Sequence, residues 1–477
     1  LRDLGITCIE LMPVNQFPGT RNWGYDGVQL FAVQNSYGGP DGLRRLVDAA
    51  HARGIAVLLD VVYNHVGPEG NYLSDFGPYF TDKHKTPWGP AINFDDVDSD
   101  EVQRFFIENA LQWVLDYHLD GFRLDAIHAI QDHRPQPFLR LMAQEVRELG
   151  ARLRRTVHVI AESNMNDPRV VNPARFGGLG LDAEWNDDFH HALHAFLTGE
   201  DTGYYRDYGG FDDVVKAVRA GFVYTGEHMS FRGRGHGDVP HLYEGDNFVV
   251  FAQNHDQIGN RARGERLSTL IGFEAQKAVA GLVTLTPYLP LFFMGEEYGE
   301  TNPFPYFVDH SEPDLIEAVR KGRSREFRSF GWKGEILDPA APETFASAKL
   351  DRSKLEQPEH RALYELHREL LRLRRAHPAL AGLDMAAMEL TASHGDRVLF
   401  LRRRHPKEEV CVVISFGVDP ATLLLPVPAG EWTLALNTAD RRWAGTADSL
   451  PRNVSSHGEV ELDIPRMSCC VYIQEPE

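Results

Sequence analysis

Asp125, Glu162 and Asp256 each stand just past a short apolar run that reads as a buried strand. The runs are Gly121-Phe122-Arg123-Leu124, Val157-His158-Val159-Ile160-Ala161 and Phe248-Val249-Val250-Phe251-Ala252. Carboxylates delivered to one end of several parallel strands are how a (β/α)8 barrel builds an active site. Two of them on neighbouring strands, about 4.8 Å apart, meet the roughly 5–5.5 Å separation of a retaining glycosidase pair. Side chains alternate along a strand, so Arg123 and Asp125 share a face, and the guanidinium would hold the carboxylate ionised. A third carboxylate, Asp256, would raise the pKa of whichever neighbour must stay protonated, which suits Glu162 as general acid.

Taken singly, each residue has a plainer reading. Arg123 with Asp125 is equally a buried structural ion pair, Glu162 a charge at a helix N-terminus, and Asp256 an Asx turn or cap. Asp60, Asn64 and His65 lie close in sequence, but an oxygen-rich metal site needs more carboxylates than they offer. Hydrogen bonding to a polar substrate is therefore expected of them, and no metal or cofactor. Trp23, Tyr25, Phe76, Tyr79, Phe80, Trp88, Trp185, Phe189, Phe304 and Tyr306 cluster in the expected rim loops, where flat rings suit stacking on pyranose faces. Fewer than half of them are expected to touch ligand.

The elements that must position these residues alternate. Strands are expected at 7–14, 28–33, 56–62, 121–125, 157–162, 181–185, 248–254 and 289–294. Helices are expected at 42–53, 99–117, 137–154, 212–220, 273–284 and 359–376. Strand–helix alternation implies a parallel sheet of right-handed βαβ units, and eight repeats favour a closed TIM barrel over residues 1–384. Loop insertions are expected at 66–98, 186–247 and 299–360. From about residue 385 the texture changes to strands without helices, at 398–401, 409–416, 422–427, 431–436 and 468–473. This predicts a C-terminal antiparallel β-sandwich over 385–477.

The net charge of −20 argues against nucleic acid and anionic membrane as partners, since both need a basic surface. A neutral, hydroxyl-rich substrate fits better. Cys8, Cys411, Cys469 and Cys470 lack zinc-like spacing and read as reduced thiols of a cytoplasmic protein. No 18-residue apolar stretch is present. Leu1 opens on what reads as the end of a helix, so an N-terminal β domain is expected to precede it.

Four motifs occur in order: Asp60-Val61-Val62-Tyr63-Asn64-His65, Gly121-Phe122-Arg123-Leu124-Asp125, Ala161-Glu162-Ser163 and Asn254-His255-Asp256. Together the chain resembles the α-amylase superfamily of glycoside hydrolases over nearly its whole length. The resemblance implies Asp125 as nucleophile, Glu162 as general acid/base and Asp256 as transition-state stabiliser. It implies that Arg123, His65 and His255 bind the sugar at the cleavage site, with Tyr25 stacked beneath it. Passages such as Lys85-Thr86-Pro87-Trp88-Gly89, Asp182 to His191 and Phe293 to Tyr298 resemble a branch acting on malto-oligosyltrehalose, an α-1,4-glucan capped as trehalose. There Trp88, Asp187 and Glu297 are candidate subsite contacts. A glycogen branching enzyme or other glucan transferase, and a non-catalytic carbohydrate-binding barrel, are the alternatives. Many relatives carry calcium in the insertion after strand three; this one is short and poor in carboxylates, so no structural calcium is expected.

Overall fold

The computed structural model describes residues 1–329, 336–446 and 450–475; residues 330–335, within the expected insertion 299–360, lie outside it. Seven strands form one parallel sheet: β1 (Cys8–Leu11), β3 (Ala56–Val61), β4 (Gly121–Leu124), β5 (His158–Glu162), β6 (Ala183–Trp185), β7 (Phe248–Phe251) and β8 (Leu289–Leu291), paired in that order. β4 and β7 are buried throughout and β3 nearly so, as expected where a parallel sheet is covered by helices. The surrounding helices include α1 (Gly39–His51), α2 (Ser99–Tyr117), α3 (Phe138–Leu153), α4 (Asp187–Thr198), α5 (Phe211–Ala220), α6 (Phe273–Leu285) and α7 (Pro358–Ala376). This is the expected (β/α)8 barrel architecture, with one departure.

The departure is the second expected strand. β2 (Gln29–Val33) pairs antiparallel with Asn15–Gln16 instead of entering the parallel sheet, and β1 pairs directly with β3, Cys8 against Ala56 through Leu11 against Leu59. The physical reason lies in its alternation. Leu30 and Val33 are buried while Gln29 and Phe31 are exposed, so the strand lacks the burial on both faces that β3 and β4 have. Asn15 Nδ2 donates to the Leu30 carbonyl at 2.6 Å and fixes the hairpin.

The C-terminal strands are β9 (Met388–Ser393), β10 (Val398–His405), β11 (Glu408–Ser415), β12 (Ala421–Leu425), β13 (Gly430–Asn437), β14 (Asn453–Ser456), β15 (Val460–Ile464) and β16 (Ser468–Gln474). Six of them form an antiparallel sheet, β9-β10-β11-β16-β13-β14, and β12 pairs with β15. Phe400, Cys411, Trp432 and Cys470 from the larger sheet pack on Leu425, Leu462 and Ile464 from the smaller, as in a sandwich. β9, β14 and β15 are absent from the sequence reading; β9 (MELTAS) and β15 (VELDI) carry the apolar–polar alternation of a strand with one wet face, and β14 (NVSS) is short and mostly polar. The cysteines are free, and burial pushes the Cys470 thiol up to about 12.

The larger sheet lies against barrel helix α6 in one continuous core: Ala278, Leu282, Val412 and Val471 belong to the same buried cluster. Lys277, fully buried, donates to the main-chain oxygens of Thr438 at 2.7 Å and Trp443 at 3.1 Å and pairs with Glu274 at 2.9 Å. Gly281 allows the close approach, because a Cβ there would come within 2.5 Å of Cys469 Sγ and 2.6 Å of its Cβ. Alanine would add about 1 kcal/mol of helix propensity, while overpacking a core costs about 1–3 kcal/mol. Gly281→Ala is expected to lower the midpoint of thermal unfolding; a raised midpoint in calorimetry would show slack in this seam.

Candidate active site

The sheet register brings the polar residues into one layer. Asp60 of β3 lies opposite Arg123 of β4, Arg123 opposite Ile160 of β5, and Glu162 opposite Trp185 of β6. Asp125 follows β4 directly, at the same end of the sheet as Glu162. Beyond β7, Asn254 caps the short helix His255–Gly259 by accepting from the Asp256 N–H at 2.9 Å and the Gln257 N–H at 3.3 Å. This turn aims His255 and Asp256 at the same cleft.

Arg123 is the hub. It is wholly buried, and Nη1 donates to both Asp60 oxygens at 2.8 and 2.7 Å and to Asp125 Oδ1 at 2.8 Å. Its Nη2 lies 3.0 Å from Glu162 Oε2. The guanidinium rests on the Trp185 ring, 4.4 Å from its centroid, a cation–π contact in a dry site. Asn64 Nδ2 holds Asp125 through its side-chain oxygen at 2.6 Å and its carbonyl at 2.8 Å. Tyr25 donates to Asp60 at 2.6 Å and lies 2.7 Å from His255 Nε2, its ring stacked on that imidazole. His65 contacts the Asn64 side-chain oxygen and, at 2.9 Å, the Tyr25 carbonyl, and stacks on Trp88 at 4.7 Å.

These contacts push the two neighbouring acids in opposite directions. Burial works against ionised Asp125, but Arg123, His65 and Asn64 outweigh it and hold its carboxyl below the usual range. Glu162 is driven well above its ordinary value by burial first, then by Asp125, Asp256 and Asp187, against the pull of Arg123. The Ala126 N–H donated to Glu162 at 2.5 Å also favours the ionised form, yet burial among three acids prevails. Asp256 keeps 36% of its side chain exposed; loss of water, then the charge on Asp125, moves it to about 6. Burial and Asp256 raise Asp187 to about 7. Burial and Arg123 depress His255 to about 3, leaving it neutral at pH 7.

The structure thus gathers Tyr25, His65, Arg123, Asp125, Glu162, His255 and Asp256 at one rim. Asp187, in the first turn of α4, joins its edge, with Gln257 Nε2 at 3.4 Å from its Oδ1. Trp88 is half exposed above His65. Glu297 is different: its carboxylate accepts the Gly295 N–H at 2.9 Å within its own turn, and no contact found among the described residues ties it to the cluster. Asp60 also departs from expectation. Only 1% exposed, it commits both oxygens to Arg123 and Tyr25 and so positions them instead of meeting a substrate. Of the ten rim aromatics, Trp23, Trp185, Phe189 and Phe304 are buried, while Phe76 and Trp88 are exposed. Glu10 on β1 went unnoticed in the sequence; burial, then Asp60, pushes it to about 8. Its signal was an acid in the middle of an apolar strand.

A carboxyl held low beside one pushed high, at the C-terminal rim of a parallel barrel, is a paired-acid arrangement of the kind that suits glycosidic bond cleavage. Residues 1–88 match the family described as alpha amylase, catalytic domain, and residues 391–475 the alpha amylase C-terminal all-beta domain. A malto-oligosyltrehalose trehalohydrolase of Saccharolobus solfataricus is 54% identical over 350 residues, 73% of this chain and 60% of that protein. One from Rhizobium sp. is 44% identical over 456 residues, 94% of this chain and 75% of that protein. The crystal structure of a putative alpha amylase from Salmonella typhimurium superposes with a TM-score of 0.85 at 38% identity, covering 99% of this chain and 77% of that one. The chain belongs to the malto-oligosyltrehalose trehalohydrolase family. It spans 60% of the length of the Saccharolobus relative.

Removing the hub would leave Asp60, Asp125 and Glu162 without their cation. Arg123→Met is expected to cost about 3–5 kcal/mol, the usual penalty for stranding buried charges. Carboxyls raised above their unfolded values destabilise more as pH rises, so the deficit should shrink from pH 7.5 to pH 5. Denaturant unfolding at the two pH values checks this; a deficit independent of pH would contradict it.

Proposed function

We propose that the chain is the catalytic part of a retaining glycoside hydrolase acting on malto-oligosyltrehalose. It cleaves the α-1,4-glucosidic bond next to the trehalose end and releases trehalose and a malto-oligosaccharide. The observation that carries the reading is the opposed protonation preference of Asp125 and Glu162 around one guanidinium. The relatives' names support the substrate.

In the first step Asp125 Oδ2, the oxygen not held by Arg123, attacks the anomeric carbon. Glu162 gives its proton to the departing trehalose oxygen as that bond breaks. Adjacent strand ends touching the same guanidinium suit the short carboxylate spacing of this double displacement. In the second step Glu162, now ionised, takes a proton from water. The hydroxide oxygen bonds to the anomeric carbon and the Asp125 ester breaks, so configuration is retained. Asp256 stabilises the cationic character of both transition states. Tyr25, His65 and His255 surround the sugar being cleaved, and Trp88 and Asp187 meet the flanking units; Arg123, wholly buried, acts on the sugar only through the carboxylates it holds, a correction to the contact expected of it. Nucleophilic attack by Asp125, proton transfer by Glu162 and one water molecule account for both steps.

No described helix is long and apolar enough to cross a membrane. The free thiols and the charge of −20 favour a reducing compartment, the cytoplasm, and a neutral carbohydrate as partner.

Glu162→Gln is expected to slow trehalose release by about 10²–10⁴-fold, the worth of a general acid, and Asp125→Asn to abolish it. The wild-type rate should fall as pH drops through the lowered Asp125 value and, separately, as pH rises through the raised Glu162 value. Glu162→Gln should lose the alkaline limb alone. Chromatography of products from a capped and an uncapped oligosaccharide checks specificity: equal release would demote the enzyme to a general amylase, and new α-1,6 linkages would reveal a branching transferase.

A further inference from the structure

A second cluster lies in the loops beside the cleft. The hairpin Phe80–Thr86 with Gly89–Ile92 slips register between Thr81 and Lys85, so residues 82–84 leave the ladder, and such bulges re-aim side chains. His84 Nε2 comes to 2.9 and 3.2 Å from the two oxygens of Asp95. His133, from the loop after β4, brings Nδ1 to 3.2 Å from Asp95 Oδ2 and its N–H to 3.1 Å from the same oxygen. One ligating atom from each of the three residues lies within 4.8 Å of the others. The Asp95 side chain is 1% exposed, that of His84 15% and that of His133 70%, so the cluster is rooted inside and opens to solvent on one side.

Lys83 Nζ also lies 3.1 Å from Asp95 Oδ2 and 3.1 Å from the Asp95 carbonyl. Its side chain is 44% exposed and free to swing outward on its stem. Tetrahedral zinc with N and O ligands at about 2.0–2.1 Å sets them about 3.3 Å apart, and both histidine-to-carboxylate distances are already close to that. Two imidazoles with one carboxylate suit a borderline transition ion, whereas calcium and magnesium require oxygen ligands throughout.

We propose that His84, Asp95 and His133 bind one divalent transition-metal ion, of which Zn2+ is the representative, with water completing its coordination. The ion acts as a clip. It ties the hairpin carrying Trp88 to the loop that follows Asp125, two segments that meet over the cleft. Neutral imidazoles are required, so binding releases any protons they carry.

The test uses the whole chain, stripped with a chelator and titrated with Zn2+ at pH 7.5 against a chromophoric competitor. Wild type is expected to take up one equivalent more than His84→Gln/His133→Gln. His133→Gln alone, at an exposed position that does not threaten folding, should weaken that equivalent by tenfold or more. Zn2+ should raise the unfolding midpoint and slow trypsin cleavage at Lys83 and Lys85, in wild type and not in His133→Gln. Equal zinc uptake by wild type and the double variant would overturn the proposal. So would equal protection by Mg2+ or Ca2+, or no protection at all.

Discussion

One buried guanidinium organises this molecule's chemistry. Arg123 contacts Asp60, Asp125 and Glu162 from the interior of the barrel, with Trp185 beneath it. A cation so placed is stable only because carboxylates surround it, and they are tolerable only because it is there. The parallel register is what makes the arrangement possible, since it puts residues from β3, β4 and β5 at one height. A slip of one residue in any of these strands would turn its polar group to the helix layer.

The same charges divide labour by number. Glu10, Asp60, Asp125, Glu162, Asp187 and Asp256 crowd the region around Arg123, with Arg323 and Arg232 acting only on Asp256 and Asp187 at its edge, so not all can be ionised together. The geometry decides which gives way. Asp125 has Arg123, Asn64 and His65 on its side and keeps its charge; Glu162 has one cation and three acidic neighbours and holds its proton. Asp60, though it touches Arg123 with both oxygens, is still raised to about 7 by burial and by Asp125.

Much of this was legible in the chain. Buried parallel strands are largely apolar runs, so β3, β4 and β7, and β5 with its buried Val159 and Ala161, could be placed, and the acids ending or following them with them. What escaped depended on partners distant in sequence. Asp60 reads as a substrate ligand until its register opposite Arg123, 63 residues on, shows both oxygens already engaged. β2 has strand composition, yet it is partly exposed and pairs antiparallel with Asn15–Gln16. Glu297 sits in a passage that resembles a subsite, and one of its carboxylate oxygens accepts the Gly295 N–H of its own turn. His84, Asp95 and His133 have no motif spacing at all; they converge only because a slipped hairpin and the loop after β4 meet.

A surplus of acids over bases in a cleft also bears on what the site prefers to bind. A neutral sugar gains little from it, whereas a ring acquiring positive charge at the anomeric carbon gains at every carboxylate within reach. Interactions that strengthen only as charge develops lower the barrier without tightening the ground state. Asp256, partly open to the cleft and moved to about 6, is the acid of this set that the proposed mechanism would set against that charge. Arg123 keeps this field from becoming self-defeating: without it, the acids would take up protons and the negative potential that favours the cationic transition state would vanish.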